Sequence, residues 1–145
     1  MPPVALSPLN PSWIWLKSLL PLAWTTKPLL PIANVAFIER QLDWLGRYGV
    51  TEVILSIGYL PDAFIRHFNG DSYGEIHLRY AVEDEPLGTA GAIRFAADGI
   101  EERFIVCNGD VLTDLDLGEM MEFHEARKAE ASIALTRVLD PSAFG

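Results

Sequence analysis

From residue 27 onward, apolar positions recur with two distinct periods, and the change from one to the other marks out the elements. Ile38, Leu42, Leu45 and Tyr48 recur at helical spacing, and Gly49 follows where a helix C-cap belongs, which predicts a helix over residues 35 to 48. EVILSI, residues 52 to 57, is a short run of the buried-strand type. Pro61 can open a second helix through Phe64, Ile65 and Phe68, closed by Asn69-Gly70. EIHLRYAV, residues 75 to 82, alternates strictly, with Ile76, Leu78, Tyr80 and Val82 on one face. A turn follows, then a helix from Ala90 to Ala97. RFIVC, residues 103 to 107, is a continuous apolar strand ending at Asn108-Gly109-Asp110. Asp116 with Glu119 forms a capping-box pattern for a helix through Lys128, and ASIALTRV, residues 131 to 138, predicts a last strand.

Helices and strands therefore alternate. That order predicts an α/β fold with a Rossmann-like, mostly parallel sheet and helices on both faces. In such sheets ligands bind beyond the carboxyl ends of the strands. Two of those ends carry unusual chemistry, residues 83 to 92 and residues 108 to 110.

The first 26 residues break the pattern. They hold five of the ten prolines, three of the four tryptophans and a single charge, Lys17. No basic leader region or small-residue cleavage site marks a signal peptide. The apolar run from Trp13 to Trp24 is interrupted by Lys17 and Pro21 and falls short of the ~20 residues of a membrane span. This stretch is expected to be an irregular apolar arm, residues 1 to 26, beside a regular domain, residues 27 to 145.

A chain of 145 residues has room for one domain with a real core. Its net charge of -9 argues against coating DNA or RNA, but leaves room for a small phosphorylated ligand. Cys107 is the only cysteine, so there is no disulfide framework. His67, His77 and His124 show no metal-ligand spacing. A cytoplasmic location is the simplest expectation, with no membrane partner.

The turn EDEPLGTAGA, residues 83 to 92, packs three acids in front of a bend and a run of small side chains. Pro86-Leu87-Gly88 bends the chain, and Gly88 would let a flat ring approach the backbone. Thr89, Ala90, Gly91 and Ala92 open a helix whose first turn has no bulk and whose free N–H groups attract negative charge. Glu83 can point into the cleft, or the segment can be an ordinary strand–turn–helix joint with a solvated acidic tip. Asp110, after a buried strand and a glycine, can present a carboxylate to Mg²⁺ or serve as an Asx-turn residue. Asp116 is better explained as a helix cap than as a metal ligand. Lys27, in the stiff stretch KPLLPIAN, can reach a phosphate, a weak signal alone.

KPLLPIAN, EDEPLGTAGA and CNGDVLTDLDL together, in this order and spacing, closely resemble the sugar-1-phosphate nucleotidylyltransferases. The resemblance runs from Lys27 to Gly145 and includes GYLPDAFIRHF and RVLDPSAFG. E-x-x-P-L-G-T-A-G is most similar to the mannose-1-phosphate guanylyltransferase branch and the related heptose-phosphate enzymes. The resemblance implies NTP + sugar 1-phosphate → NDP-sugar + pyrophosphate, with Mg²⁺ as cofactor and GTP with a sugar 1-phosphate as small-molecule partners. It would put Lys27 on phosphate and Glu83, Pro86, Gly88 and Thr89 around the base. Asp110 would bind Mg²⁺, and Asn108 and Gly109 would shape the metal turn. Self-association into a homo-oligomer is compatible with it.

The sequence also departs from that family. Members carry a glycine- and arginine-rich phosphate loop before the lysine-proline pair, whereas residues 1 to 26 contain no glycine and no arginine. The family's later sugar-phosphate lysine and second metal aspartate would lie beyond Gly145. The expectation is a weakly active or inactive chain with an empty slot at the sheet centre, for which Val4-Ala5-Leu6 is the nearest candidate strand. Two alternatives stand beside it. One is a non-catalytic nucleotide or sugar-phosphate binding or regulatory module. The other is a structural partner docking through Trp13, Trp15, Leu19 and Trp24.

Overall fold

The computed structural model describes residues 13–18, 21–22, 25–58, 61–140 and 142. The chain divides into two compact units, Met1–Thr113 and Asp114–Gly145.

The first unit is built on a five-stranded sheet. Its strands are β1 (Trp13–Ser18), β6 (Glu52–Ile57), β7 (Ser72–Tyr73), β8 (Ile76–Val82) and β9 (Phe104–Asn108). Between β1 and β6 lie two small hairpins, β2 (Pro21–Leu22) with β3 (Thr25–Thr26), and β4 (Pro31–Ile32) with β5 (Val35–Ala36). The order across the sheet is β7-β8-β6-β1-β9. All pairings are parallel except the short antiparallel edge of β7 on β8.

The centre of the sheet corrects the reading of the first 26 residues. β1 pairs in parallel with β6, Ile14 opposite Val53 through Ser18 opposite Ile57. On its other edge it pairs with β9, Trp13 opposite Phe104 through Lys17 opposite Asn108. The slot expected to be empty is filled, and by WIWLKS rather than by Val4-Ala5-Leu6, which lies outside the described residues. Tryptophan and isoleucine suit a strand, and the prolines at 11 and 21 lie outside the paired stretch instead of within it.

Helices cover both faces, and the connectivity dictates which. α1 (Phe37–Gly46) and α2 (Pro61–Phe68) carry the chain from β1 to β6 and from β6 to β8 in one direction across the sheet. α3 (Gly88–Ala96) carries it back past both to β9. Parallel crossovers are right-handed, so reversing the direction moves the helix to the opposite face. The packing agrees. Ile54 packs with Ala92 and Ala96 of α3. Leu55 and Ile57 share a small cavity wall with Ile38 of α1 and Phe64 of α2. The α1 stripe of Ile38, Leu42 and Leu45 is buried as its helical period requires. At its start Glu39 reaches back to accept the Ala36 N–H at 3.2 Å.

The alternation in 75 to 82 holds only in part. Ile76 and Leu78 are buried, but Val82, on the last β6–β8 rung opposite Ile57, is 41% exposed. In the second unit, α4 (Leu117–Arg127) starts where expected, with Asp116 Oδ1 accepting the Glu119 N–H at 3.1 Å. The expected strand at 131 to 138 is absent: no residue there is paired, and Ile133 and Leu135 are 81% and 90% exposed. Strand propensity there lacks a neighbouring ladder among the described residues. No helix among the described residues is long and apolar enough to cross a membrane.

A proline at Leu16 removes a ladder donor from a strand paired on both edges. Leu16→Pro is expected to abolish the cooperative melt or lower Tm by roughly 10 °C or more. Leu135→Pro, in the unpaired stretch, should change stability by no more than about 0.5 kcal/mol. Circular-dichroism melts of the two variants read both outcomes.

Candidate functional site

Because β1, β6, β8 and β9 run parallel, their carboxyl ends share one edge of the sheet. The chain steps outward from β1 to β6 to β8, then returns to place β9 on the other side of β1. The order reverses between β1 and β9. In open α/β sheets such a reversal is where ligands bind, outside the carboxyl ends of the strands.

Glu83 follows β8 on that edge. It is only 8% exposed, so it is not part of a solvated acidic tip, although Asp84 and Glu85 are exposed. Its N–H donates to Ile57 O at 3.1 Å, which extends the β6–β8 ladder by one bond. Its carboxylate accepts from two donors, Ser56 Oγ at 2.9 Å and the Leu87 N–H at 3.0 Å. A buried carboxylate is tolerated only with such partners. The bonds tie the neighbouring strand to the bend and set where the bend can go.

The bend needs glycine at two places. Gly88 has φ +70°, and a Cβ there would meet nothing within 4 Å, so the requirement is conformational and the space above it is open. At Gly91 a Cβ would come within 2.9 Å of Leu87 Cβ, so any side chain would push the bend away from α3. Pro86, Gly88 and Thr89 are exposed on the rim of the turn.

The second turn closes by the Val111 N–H donating to Asn108 O at 3.3 Å, with Gly109 and Asp110 at its corner. Gly109 is buried, and Asn108 and Asp110 are exposed. From α1, Gln41 Nε2 donates to Asn108 O at 2.8 Å and to Val111 O at 2.7 Å. Gln41 is 3% exposed, and its Oε1 has no partner among the described residues. Lys27 begins a 3-10 turn, Lys27–Leu29, closed by the Leu30 N–H on Lys27 O at 3.1 Å.

A cavity of about 10 Å³, the room of a single water, lies beside these turns, and none of Lys27, Glu83 and Asp110 lines it. Its lining includes Pro28, next to Lys27, then Ser56, which binds Glu83, and Gly109, next to Asp110. A second, open cavity of about 270 Å³ is lined by Arg40, Arg47, Gln41 and Val111 among others. None of the sequence-predicted site residues lines it, but it borders the same turn.

The donor set at Asp110 suits a hard cation. Its carboxylate is exposed at a strand end and makes no hydrogen bond or ion pair to another described residue. No group of three or more His, Cys, Asp or Glu side chains comes together among the described residues. One carboxylate is what Mg²⁺ takes from a protein when phosphates and water complete its shell.

The nucleotidyl transferase family profile matches residues 17–145. The chain belongs to the sugar-1-phosphate nucleotidylyltransferase family. It is 41% identical over 126 residues to mannose-1-phosphate guanylyltransferase 1 of Arabidopsis thaliana, covering 82% of this chain and 34% of that protein. It is 37% identical over 120 residues to the Mycobacterium tuberculosis mannose-1-phosphate guanylyltransferase, covering 82% of this chain and 33% of that protein. The chain thus spans about a third of the length of these curated relatives. Among solved structures, HddC from Yersinia pseudotuberculosis superposes with a TM-score of 0.68 at 32% identity, covering 77% of this chain and 53% of that one. A second HddC structure, complexed with GMP-PN, matches with the same TM-score at 31% identity.

In this member of the family the motif residues Glu83, Asn108, Gly109 and Asp110 lie along one sheet edge, with Pro86, Gly88 and Thr89 in the turn that Glu83 holds. Two partners went unnoticed in the sequence, Ser56 and Gln41. Each left a signal. Ser56 is the one polar residue in the run Val53 to Ile57, and Gln41 interrupts the apolar stripe of α1.

Cys107, one residue before Asn108, is pushed up to about 11 by burial of its thiol. The unfolded thiol ionises first as pH rises, so this group stabilises the fold below pH 9.0 and loses that contribution as pH climbs toward 11. At pH 8, alkylation of Cys107 by iodoacetamide should be roughly a hundredfold slower in the native chain than in urea. Equal rates would show an exposed, ionising thiol.

Proposed function

We propose that the carboxyl edge of this sheet binds a nucleoside triphosphate and supports its reaction with a sugar 1-phosphate to give an NDP-sugar and pyrophosphate. The observation that carries the reading is the Glu83 carboxylate, buried and oriented by Ser56 and Leu87 directly before a glycine-rich helix start. In the reaction, an oxygen of the sugar phosphate attacks the α-phosphorus in line, and the bond to pyrophosphate breaks. Positioning and electrostatics carry such chemistry.

The positions of the residues support the following roles. The open space over Gly88 admits a flat base against backbone, with Pro86 and Thr89 at its rim. Lys27, whose ammonium has no partner among the described residues, supplies a cation for phosphate. Asp110 holds Mg²⁺, which when bound neutralises charge on the phosphates. Asn108 and Gly109 shape that turn.

Guanine is the base we assign. Each carboxylate oxygen of Glu83 accepts one internal bond and keeps a second lone pair. Guanine offers N1–H and N2–H₂ side by side, a match for an acceptor-only group. Thymine and uracil offer one N3–H between two carbonyls. GTP with mannose 1-phosphate or a similar sugar is therefore the substrate pair, in keeping with relatives named as mannose-1-phosphate guanylyltransferases. A second reading, nucleotide binding without turnover, is favoured by the absence of glycine and arginine from residues 1 to 26.

Glu83→Gln keeps the size and can still accept from Leu87 N–H, but removes charge and acceptor capacity. Losing hydrogen bonds to a charged group should weaken GTP binding about 10- to 100-fold and leave dTTP binding unchanged. Calorimetric titration of both nucleotides checks this. Equal affinity for GTP and dTTP, unaltered in Glu83→Gln, would leave Glu83 as a turn-former alone. Sugar-dependent pyrophosphate release by the same preparation separates the catalytic reading from the binding-only one.

A further inference from the structure

We propose that Gln41 is a positioning residue for the metal turn: its side-chain amide holds the backbone on both sides of Gly109-Asp110 at a set height above the sheet. The inference rests on the reading of Asp110 as the Mg²⁺ ligand.

Gln41 occupies a place on α1 that the helical pattern reserves for an apolar side chain. It lies on the buried face with Ile38, Leu42 and Leu45. Its amide has two N–H donors and one oxygen acceptor. The nitrogen is fully used, with one bond to Asn108 O at 2.8 Å and one to Val111 O at 2.7 Å. The oxygen is buried and has no partner among the described residues. Turning the amide over does not relieve this, because Oε1 would then face two carbonyl oxygens. The side chain is locked in the orientation that leaves its own oxygen without a partner among the described residues.

That arrangement is costly for stability alone. A buried unpaired acceptor is rare in folded proteins and calls for an explanation. An apolar side chain of the same length would avoid it. The turn does not need Gln41 in order to close, since the Val111 N–H already bonds Asn108 O at 3.3 Å.

What Gln41 adds is placement. α1 is anchored in the core by Leu42 and Leu45, both 0% exposed. The two bonds carry that rigidity over 67 and 70 residues of sequence to the carbonyls that bracket Gly109 and Asp110. The Asp110 side chain has no partner among the described residues to aim it. A cation ligand on a lone turn needs such outer support, and loss of it typically weakens metal binding 10- to 100-fold.

The test separates placement from stability. Mn²⁺ serves as the Mg²⁺ probe and is followed by electron paramagnetic resonance in the presence of GTP. The 145-residue chain is compared with Gln41→Met, Gln41→Leu and Asp110→Asn. Both apolar variants remove the two donors and the orphaned oxygen together. They are expected to keep Tm within about 4 °C of the parent. Their GTP affinity in EDTA should stay within about twofold, while the Mn²⁺ dissociation constant rises about 10- to 100-fold. Unchanged Mn²⁺ affinity in both, alongside its loss in Asp110→Asn, overturns the role of Gln41 and leaves the metal reading standing. A parallel fall in Tm, GTP affinity and Mn²⁺ affinity makes Gln41 a packing residue and also overturns it. Mn²⁺ binding that survives in Asp110→Asn, or is absent from the parent, removes the metal reading and this inference with it.

Discussion

Two parallel ladders meet on β1, and every feature of the site depends on them. A strand in the middle of a parallel sheet satisfies its backbone groups only through both neighbours. Here β6 lies on one edge and β9 on the other, so Leu16 stands opposite both Leu55 and Cys107. Without that central strand, β9 has no neighbour in this sheet. The Asn108–Val111 turn would then be detached from the strand ends that carry Ser56 and Glu83. The same ladders create the reversal in strand order between β1 and β9.

On this frame, two side chains with opposite hydrogen-bonding character work alike. Glu83 is an acceptor that holds two donors, Ser56 Oγ and the Leu87 N–H. Gln41 is a donor that holds two acceptors, the carbonyls of Asn108 and Val111. Each is more than nine-tenths buried, and each secures a turn whose outer residues are exposed. Rigid anchors below and open groups above are what preorganisation requires: the ordering is complete before a ligand arrives, so binding does not have to supply it.

Much of this was legible in the sequence. The strands at 52–57, 76–82 and 104–108 announce themselves as apolar runs between turn residues, and α1 and α4 by period and cap. β1 was hidden because five prolines surround a six-residue strand, and a paired strand with Lys17 near its end resembles an irregular arm when its neighbours are unknown. The opposite error occurred at 131–138, where β-branched and apolar residues met no ladder. Both errors have one cause: strand formation is decided by partners distant in sequence. The position of Glu83 was visible, but its bonds were not, because Ser56 lies 27 residues upstream. Gln41 showed only as a polar break in an apolar stripe.

The central claim is that the carboxyl edge of the sheet takes a nucleotide between the turn at 83–92 and the turn at 108–111. The most direct measurement is a titration of the ¹⁵N-labelled chain with Mg²⁺ and GTP, following backbone amide shifts residue by residue. The account predicts that the largest shifts cluster at Leu87 to Ala92 and at Asn108 to Val111, with little change at Thr51 and Glu75 beside the opposite strand ends. Shifts concentrated at those opposite ends, or no saturable shift at either turn, would contradict it.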